Sequence, residues 1–121
     1  EERRNFHPAL LKAVNLMSRR YSEDLSVSGL AECCSVSVSL LNMLFNRQFK
    51  VGPRRYLLSL RMREARRLLL DNRYRIGEVA EQVGFQSANY FARAFKAYHG
   101  VTPEAYRNGP PEFADRITFI E

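Results

Sequence analysis

Apolar residues recur at every third or fourth position from about residue 8 to residue 107, and period-two alternation is rare, so the chain reads as helix throughout. The first helix starts at Pro8, where the missing N–H is harmless, and carries Leu10, Val14, Met17 and Tyr21 on one face before ending near residues 20–22. Ser26 caps a short helix over residues 27–34. Ser37 or Ser39 caps a third, which carries Leu40, Leu41, Leu44, Phe45 and Phe49. Pro53 opens a long fourth helix reaching residue 71 or 72. A fifth covers residues 76–83, a sixth runs from Ser87 or Ala88 to His99, and a short seventh has Thr102 as its cap and Pro103 at its first position. The expectation is an all-α protein of about seven helices. From Asn108 the stretch NGPPEFADRITFIE has no helical pattern and reads as an extended tail, residues 108–121.

The pattern repeats itself. Setting LAECCSVSVSLLNMLFNRQFKVGPRRY beside VAEQVGFQSANYFARAFKAYHGVTPEAY pairs Ala31 with Ala80, Glu32 with Glu81, Phe45 with Phe95, Pro53 with Pro103 and Tyr56 with Tyr106. The offset grows by one residue in the turn between the short helix and the longer one. Each copy is a short helix, a tight turn, a second helix and a helix opened by proline, which is the outline of a helix-turn-helix unit. The first unit spans about residues 8–52 and the second residues 75–107, with a linker helix over 53–72. Together they make one domain over 8–107. From Pro53 to about Leu70 the linker has about 18 residues and is about 27 Å long, a rod that joins the two units.

A helix that enters the major groove needs large apolar residues on its inner face. Its outer face needs short or hydrogen-bonding side chains, with cations nearby for phosphates. In GFQSANYFARAFKAYHGVTP the inward set is Phe91, Phe95 and Tyr98, flanked by Tyr90. Gln86, Ser87, Ala88, Asn89, Ala92, Arg93 and Lys96 fall on or near the other side. The aromatic stripe is core, and the opposite face is the candidate reader of double-stranded DNA.

These residues carry a family resemblance. The segment IGEVAEQVGFQSANYFARAFKAYHGVTPEAYR resembles the second helix-turn-helix of the AraC/XylS family of bacterial transcription regulators at Ile76, Glu78, Ala80, Gly84, Phe85, Ser87, Tyr90, Phe91, Arg93, Phe95, Lys96, Gly100, Thr102, Pro103 and Tyr106. The region from about Leu25 through YLLSLRMREARRLLL is similar to that family's first unit and linking helix. The resemblance implies a seven-helix DNA-binding domain, and the repeat with its linker rod could set two reading helices about one DNA turn apart, in successive major grooves. It also implies an effector-binding or dimerisation domain upstream in a longer chain; RNA polymerase is a further candidate partner. By analogy it turns Ser37, Val38, Ser39, Asn42, Met43 and Arg47 of the third helix toward DNA. Asn42 can pair with adenine and Met43 can touch a thymine methyl, whereas Arg93 offers a bidentate contact to guanine, so the sixth helix is expected to read more sharply than the third. Lys50 stands where the family commonly ends this helix with glycine, and Arg75 stands where a capping Ser or Thr is frequent.

Charge agrees with an anionic partner. The chain carries 19 Lys plus Arg against 13 Asp plus Glu, a net +6. Residues 47–75 hold ten basic side chains and two acidic ones, so the excess is localised there. On the linker helix Arg55, Arg63, Arg66 and Arg67 read as a solvent or phosphate face. Arg61 falls in the apolar stripe, where a carboxylate such as Glu32 or Glu78 is its expected partner. The rival reading is a helical interaction module whose basic face meets an acidic protein.

The remaining features remove other classes. No apolar run approaches the ~18 residues of a membrane span and EERRN is no signal peptide, which points to the cytoplasm. The missing initiator Met suggests a piece of a longer protein. Cys33 and Cys34 are adjacent, which strains a mutual disulfide, and His7 and His99 lack ligand spacing, so no metal site is expected. No catalytic constellation and no cofactor motif is present.

Overall fold

The computed structural model describes residues 6–109. They form seven helices and no strand: α1 (Pro8–Arg20), α2 (Val27–Cys33), α3 (Val38–Phe49), α4 (Pro53–Leu69), α5 (Ile76–Gln82), α6 (Ala88–His99) and α7 (Pro103–Asn108). The chain divides into two compact units, and the boundary between Leu60 and Arg61 falls inside α4.

Unit 1 packs α1, α2, α3 and the first part of α4 around Leu10, Ala13, Met17, Leu41 and Phe45, all essentially without solvent exposure. Its helices begin where hydroxyls take up orphan N–H groups. Ser26 Oγ accepts from Gly29 N–H and Ser37 Oγ from Leu40 N–H, each at 3.0 Å. Ser37, not Ser39, is thus the cap of α3. At α1 the cap is His7, whose Nδ1 accepts from Ala9 N–H at 3.0 Å. Phe49 and Tyr56 approach to 4.6 Å between ring centroids, and Phe45 meets both.

Unit 2 packs the rest of α4 with α5, α6 and α7 around Met62, Ala65, Leu69, Val79, Phe91 and Phe95. Ser87 Oγ accepts from Tyr90 N–H at 2.9 Å and Thr102 Oγ1 from Ala105 N–H at 3.0 Å. Arg75, at the cap position of α5, supplies no acceptor. Glu78 reaches back instead, its Oε1 accepting from Arg75 N–H at 2.8 Å, one half of a capping box.

Four boundaries differ from the sequence reading. α2 and α5 close one residue early, and Cys34 and Val83 become their C-caps. α4 ends at Leu69 rather than at residue 71 or 72. Its last carbonyl, Leu69 O, accepts from Arg107 Nε at 2.6 Å, while the Asp71 carboxylate accepts the N–H of Arg73 at 3.0 Å and turns the chain. Asn108 is the last residue of α7 and not the start of a tail. The rest of that expected tail lies outside the described residues.

Two tight turns repeat. In unit 1 Val36 N–H donates to Ala31 O at 3.0 Å, and in unit 2 Phe85 N–H donates to Ala80 O at 2.9 Å. Each closure requires a left-handed residue just before it: Ser35 at φ 60° and Gly84 at φ 97°. The C-caps of the longer helices repeat likewise, with Lys50 at φ 66° after α3 and Gly100 at φ 87° after α6. Lys50, standing where the family commonly has glycine, thus ends α3 as a strained left-handed residue and not through a different turn. Among the described residues no single helix is long and apolar enough to cross a membrane.

Candidate nucleic-acid interface

The two sides of α6 are chemically opposite. Phe91 and Phe95 have no solvent exposure, and Phe95 stacks among Phe91, His99 and Tyr106 at 4.5 to 5.8 Å between centroids. Gln86, Ser87, Ala88, Asn89, Arg93 and Lys96 are exposed, and Ala92 is half-buried between the two faces. Ser87 is on the outer side, but its hydroxyl oxygen already serves the helix cap. The free hydrogen-bonding groups of this face are therefore the amides of Gln86 and Asn89, the guanidinium of Arg93 and the ammonium of Lys96.

Arg93 does not hang loose. Its guanidinium carbon stands 5.9 Å from the centroid of the Tyr90 ring, and that ring lies 5.6 Å from Phe85. Tyr90 itself is 56% exposed, so it forms a shelf at the surface and not part of the core. On the inner side Arg61 sits in the apolar stripe as expected, with its guanidinium carbon 5.9 Å over Phe85.

The outer face of α3 is built from Val38, Ser39, Met43, Asn46 and Arg47, all exposed, with Asn42 half-buried and Ser37 spent as the cap. Asn46 Nδ2 donates to Asn42 O at 2.8 Å, which holds that amide against its own helix. The predicted residues thus lie on, or just before, α3 and α6, and most of them are exposed.

Residues 30–109 match the model of the family described as helix-turn-helix domain. The chain belongs to the AraC-type helix-turn-helix family. Among curated members, the transcriptional regulator GbdR of Pseudomonas aeruginosa is 36% identical over 104 residues, which are 86% of this chain and 28% of that regulator. The chain spans little more than a quarter of this relative. Among solved structures, the C-terminal domain of AraT, a response regulator from Geobacillus stearothermophilus, has 32% identity and a TM-score of 0.81, over 85% of this chain and 86% of that one. The DNA-binding domain of AdpA, solved in complex with a target DNA, has 28% identity and a TM-score of 0.77, over 84% and 91%.

Two residues of this AraC-type domain stand elsewhere than its sequence suggests. Arg66 is not on the arginine face: it is only 7% exposed and lies in the core of unit 2. At 100° per residue it falls about 40° from Met62, inside the apolar stripe, so the signal was present in the spacing. His99 replaces Tyr98 in the buried set, at 6% exposure against a half-exposed tyrosine. It follows Phe91 and Phe95 at intervals of four, the same stripe. Neither of its ring nitrogens has a hydrogen-bond partner among the described residues. Burial, and secondly the charge of Arg66, lower its pKa to about 4; the nearby Met62 carbonyl opposes this weakly, without the geometry of a full bond. Burial likewise raises the Tyr106 phenol.

The basic residues outside the core differ in freedom. Arg67 pairs with Glu64 at 2.8 Å. Arg73 pairs with Asp71 at 2.8 Å, and hydrogen bonds from Arg73 hold the Asp71 carboxyl down at about 2. Cys33 is exposed and Cys34 buried, both as free thiols, and burial raises the Cys34 thiol.

Proposed function

We propose that this chain is the DNA-binding domain of a bacterial transcription regulator, with α3 and α6 as its two reading helices. The observation that carries the reading is the division of α6, whose buried aromatic side leaves Gln86, Asn89, Arg93 and Lys96 together on the solvent side. Two amides and a guanidinium match the donor and acceptor pattern of major-groove base edges, and the ammonium suits a phosphate. The family's curated regulators and the target DNA bound to the AdpA domain support it. The position of both units on one continuous α4 supports engagement of successive major grooves by one chain.

The site would then comprise Ser37, Val38, Ser39, Asn42, Met43 and Arg47 on unit 1, and Gln86, Ser87, Ala88, Asn89, Ala92, Arg93 and Lys96 on unit 2. The work is cytoplasmic and consists of binding, not catalysis. An effector or dimerisation domain upstream and contact with RNA polymerase complete the regulator.

The test is Arg93→Ala, assayed on a duplex selected from random sequence and on random duplex. Loss of the bidentate contact should cost about 1–3 kcal/mol on the selected duplex and much less on the random one. Equal losses on both would reduce Arg93 to a phosphate contact. Displacement from duplex DNA by an acidic protein, with no sequence preference in the parent, would favour the interaction module instead.

A further inference from the structure

α3 and α6 hold equivalent places in the two units, and a constant offset of fifty residues lets their outer faces be compared position by position. Ser39 answers to Asn89, Asn42 to Ala92, Met43 to Arg93 and Asn46 to Lys96. Where unit 2 has its two cations, unit 1 has a thioether and an amide.

That substitution changes what the face can recognise. Met43 is 46% exposed and Val38 40% exposed. Solitary surface apolar groups are ordinary, but these two occupy the positions that answer to Arg93 and Ala88 on the outer side of α6. The amide of Asn46 is tied to the carbonyl of Asn42, so it is a poor substitute for a free donor. No cation appears on α3 before Arg47, in its third turn. Its first two turns therefore offer no guanidinium or ammonium to span the N7 and O6 acceptors of guanine. The one apolar group that the major groove displays is the C5-methyl of thymine, and the amide of Asn42 suits the N6 and N7 of the paired adenine. Positive charge suited to phosphates lies just beyond, on the exposed Lys50 and Arg54.

Resting on the DNA-binding reading above, we infer that α3 recognises A·T pairs through thymine methyls, met by Met43 and Val38, while α6 recognises guanine through Arg93. The bound site is then made of two chemically unlike halves. Methyl recognition in unit 1 is a matter of excluding water from an apolar contact, and guanine recognition in unit 2 is a matter of directed hydrogen bonds.

Chemically edited duplexes separate the two. A selected duplex is remade with deoxyuridine for thymidine, which keeps pairing and removes only the methyl group, one half at a time. A second set carries 7-deazaguanine, which removes the N7 acceptor. Uracil in the α3 half should weaken the parent about three- to tenfold, a change that Met43→Ala reduces, Met43→Ala with Val38→Ala abolishes and Met43→Leu preserves. Deazaguanine in the other half should weaken the parent about tenfold and leave Arg93→Ala indifferent. Met43 is exposed, so its replacement leaves the core intact, which circular dichroism checks. If uracil has no effect in either half while deazaguanine still weakens binding, the DNA-binding reading stands and the inference fails, the apolar face then serving a protein partner. If no duplex is selected at all, the DNA-binding reading falls, and this inference with it.

Discussion

Units 1 and 2 share one plan but solve its backbone and core problems differently. Both need a left-handed residue in the turn before the reading helix and another just after that helix. Unit 2 meets both with glycine, Gly84 and Gly100, whereas unit 1 uses Ser35 and Lys50. A side chain in that region is strained by contact between Cβ and the following carbonyl. The cores diverge in the opposite sense. Phe49 of unit 1, packed on Tyr56 at 4.6 Å, has His99 as its counterpart in unit 2, beside the buried Arg66. Unit 1 thus combines an apolar core with a strained backbone, and unit 2 a relaxed backbone with a polar core. Identical topology leaves the location of the weak point to a few residues.

The largest expected effect tests the shared plan. Phe45→Ala and Phe95→Ala each empty a fully buried ring site and should each cost about 3–5 kcal/mol. Amide exchange should accelerate chiefly in α3 for the first and in α6 for the second. Uniform acceleration by either would mean that the units do not open separately.

Acid should separate the units next. The folded pKa of His99, about 4, lies below the 6.5 of an unperturbed imidazole. The unfolded chain therefore binds the proton more readily. Stability from this group is complete above pH 6.5 and is lost as pH falls toward 4, by about 3 kcal/mol in all. Exchange in α6 should become faster than in α3 over that window, and His99→Phe, which restores the unit 1 residue, should remove the difference. An α6 whose protection is unchanged from pH 7 to pH 4 would contradict the buried neutral histidine.

Exchanging the C-caps is a smaller perturbation. Lys50→Gly should stabilise unit 1 by about 1 kcal/mol, and Gly100→Ala should destabilise unit 2 by about the same. No atom within 4 Å obstructs a Cβ at Gly100, so that cost is backbone strain alone. Urea unfolding reads both changes, and the signs should be opposite. Smallest of all is Arg67→Gln. Its pair with Glu64 is an exposed one on the surface of α4, and its loss should move stability by less than about 0.5 kcal/mol.

Periodicity and caps were enough to read seven helices, because Ser26, Ser37, Ser87 and Thr102 each precede an amphipathic run. They located most starts to the residue. Ends were harder, since α4 stops where Arg107, 38 positions away, takes its Leu69 carbonyl. The outer face of α6 was legible for the same reason as its core: 100° per residue separates Arg93 from Phe91 and Phe95. Arg66 and His99 carry charge or titratable nitrogen, which favours the surface, yet each lies on its helix's apolar stripe and is buried. Ser35 carried no cue of its own. Only its alignment with Gly84 marks the left-handed turn.

In the function proposed above, both units engage DNA at once through the helix they share. Inserting two alanines between Ser59 and Leu60 adds ~200° of rotation within α4 while keeping it helical. Footprinting of a selected duplex should show the parent protecting two successive major grooves with unlike sequences. The insertion variant, with its helicity verified by circular dichroism, should protect one groove and bind more weakly. A folded insertion variant with the parent's footprint and affinity would contradict the claim and leave one unit to carry recognition alone.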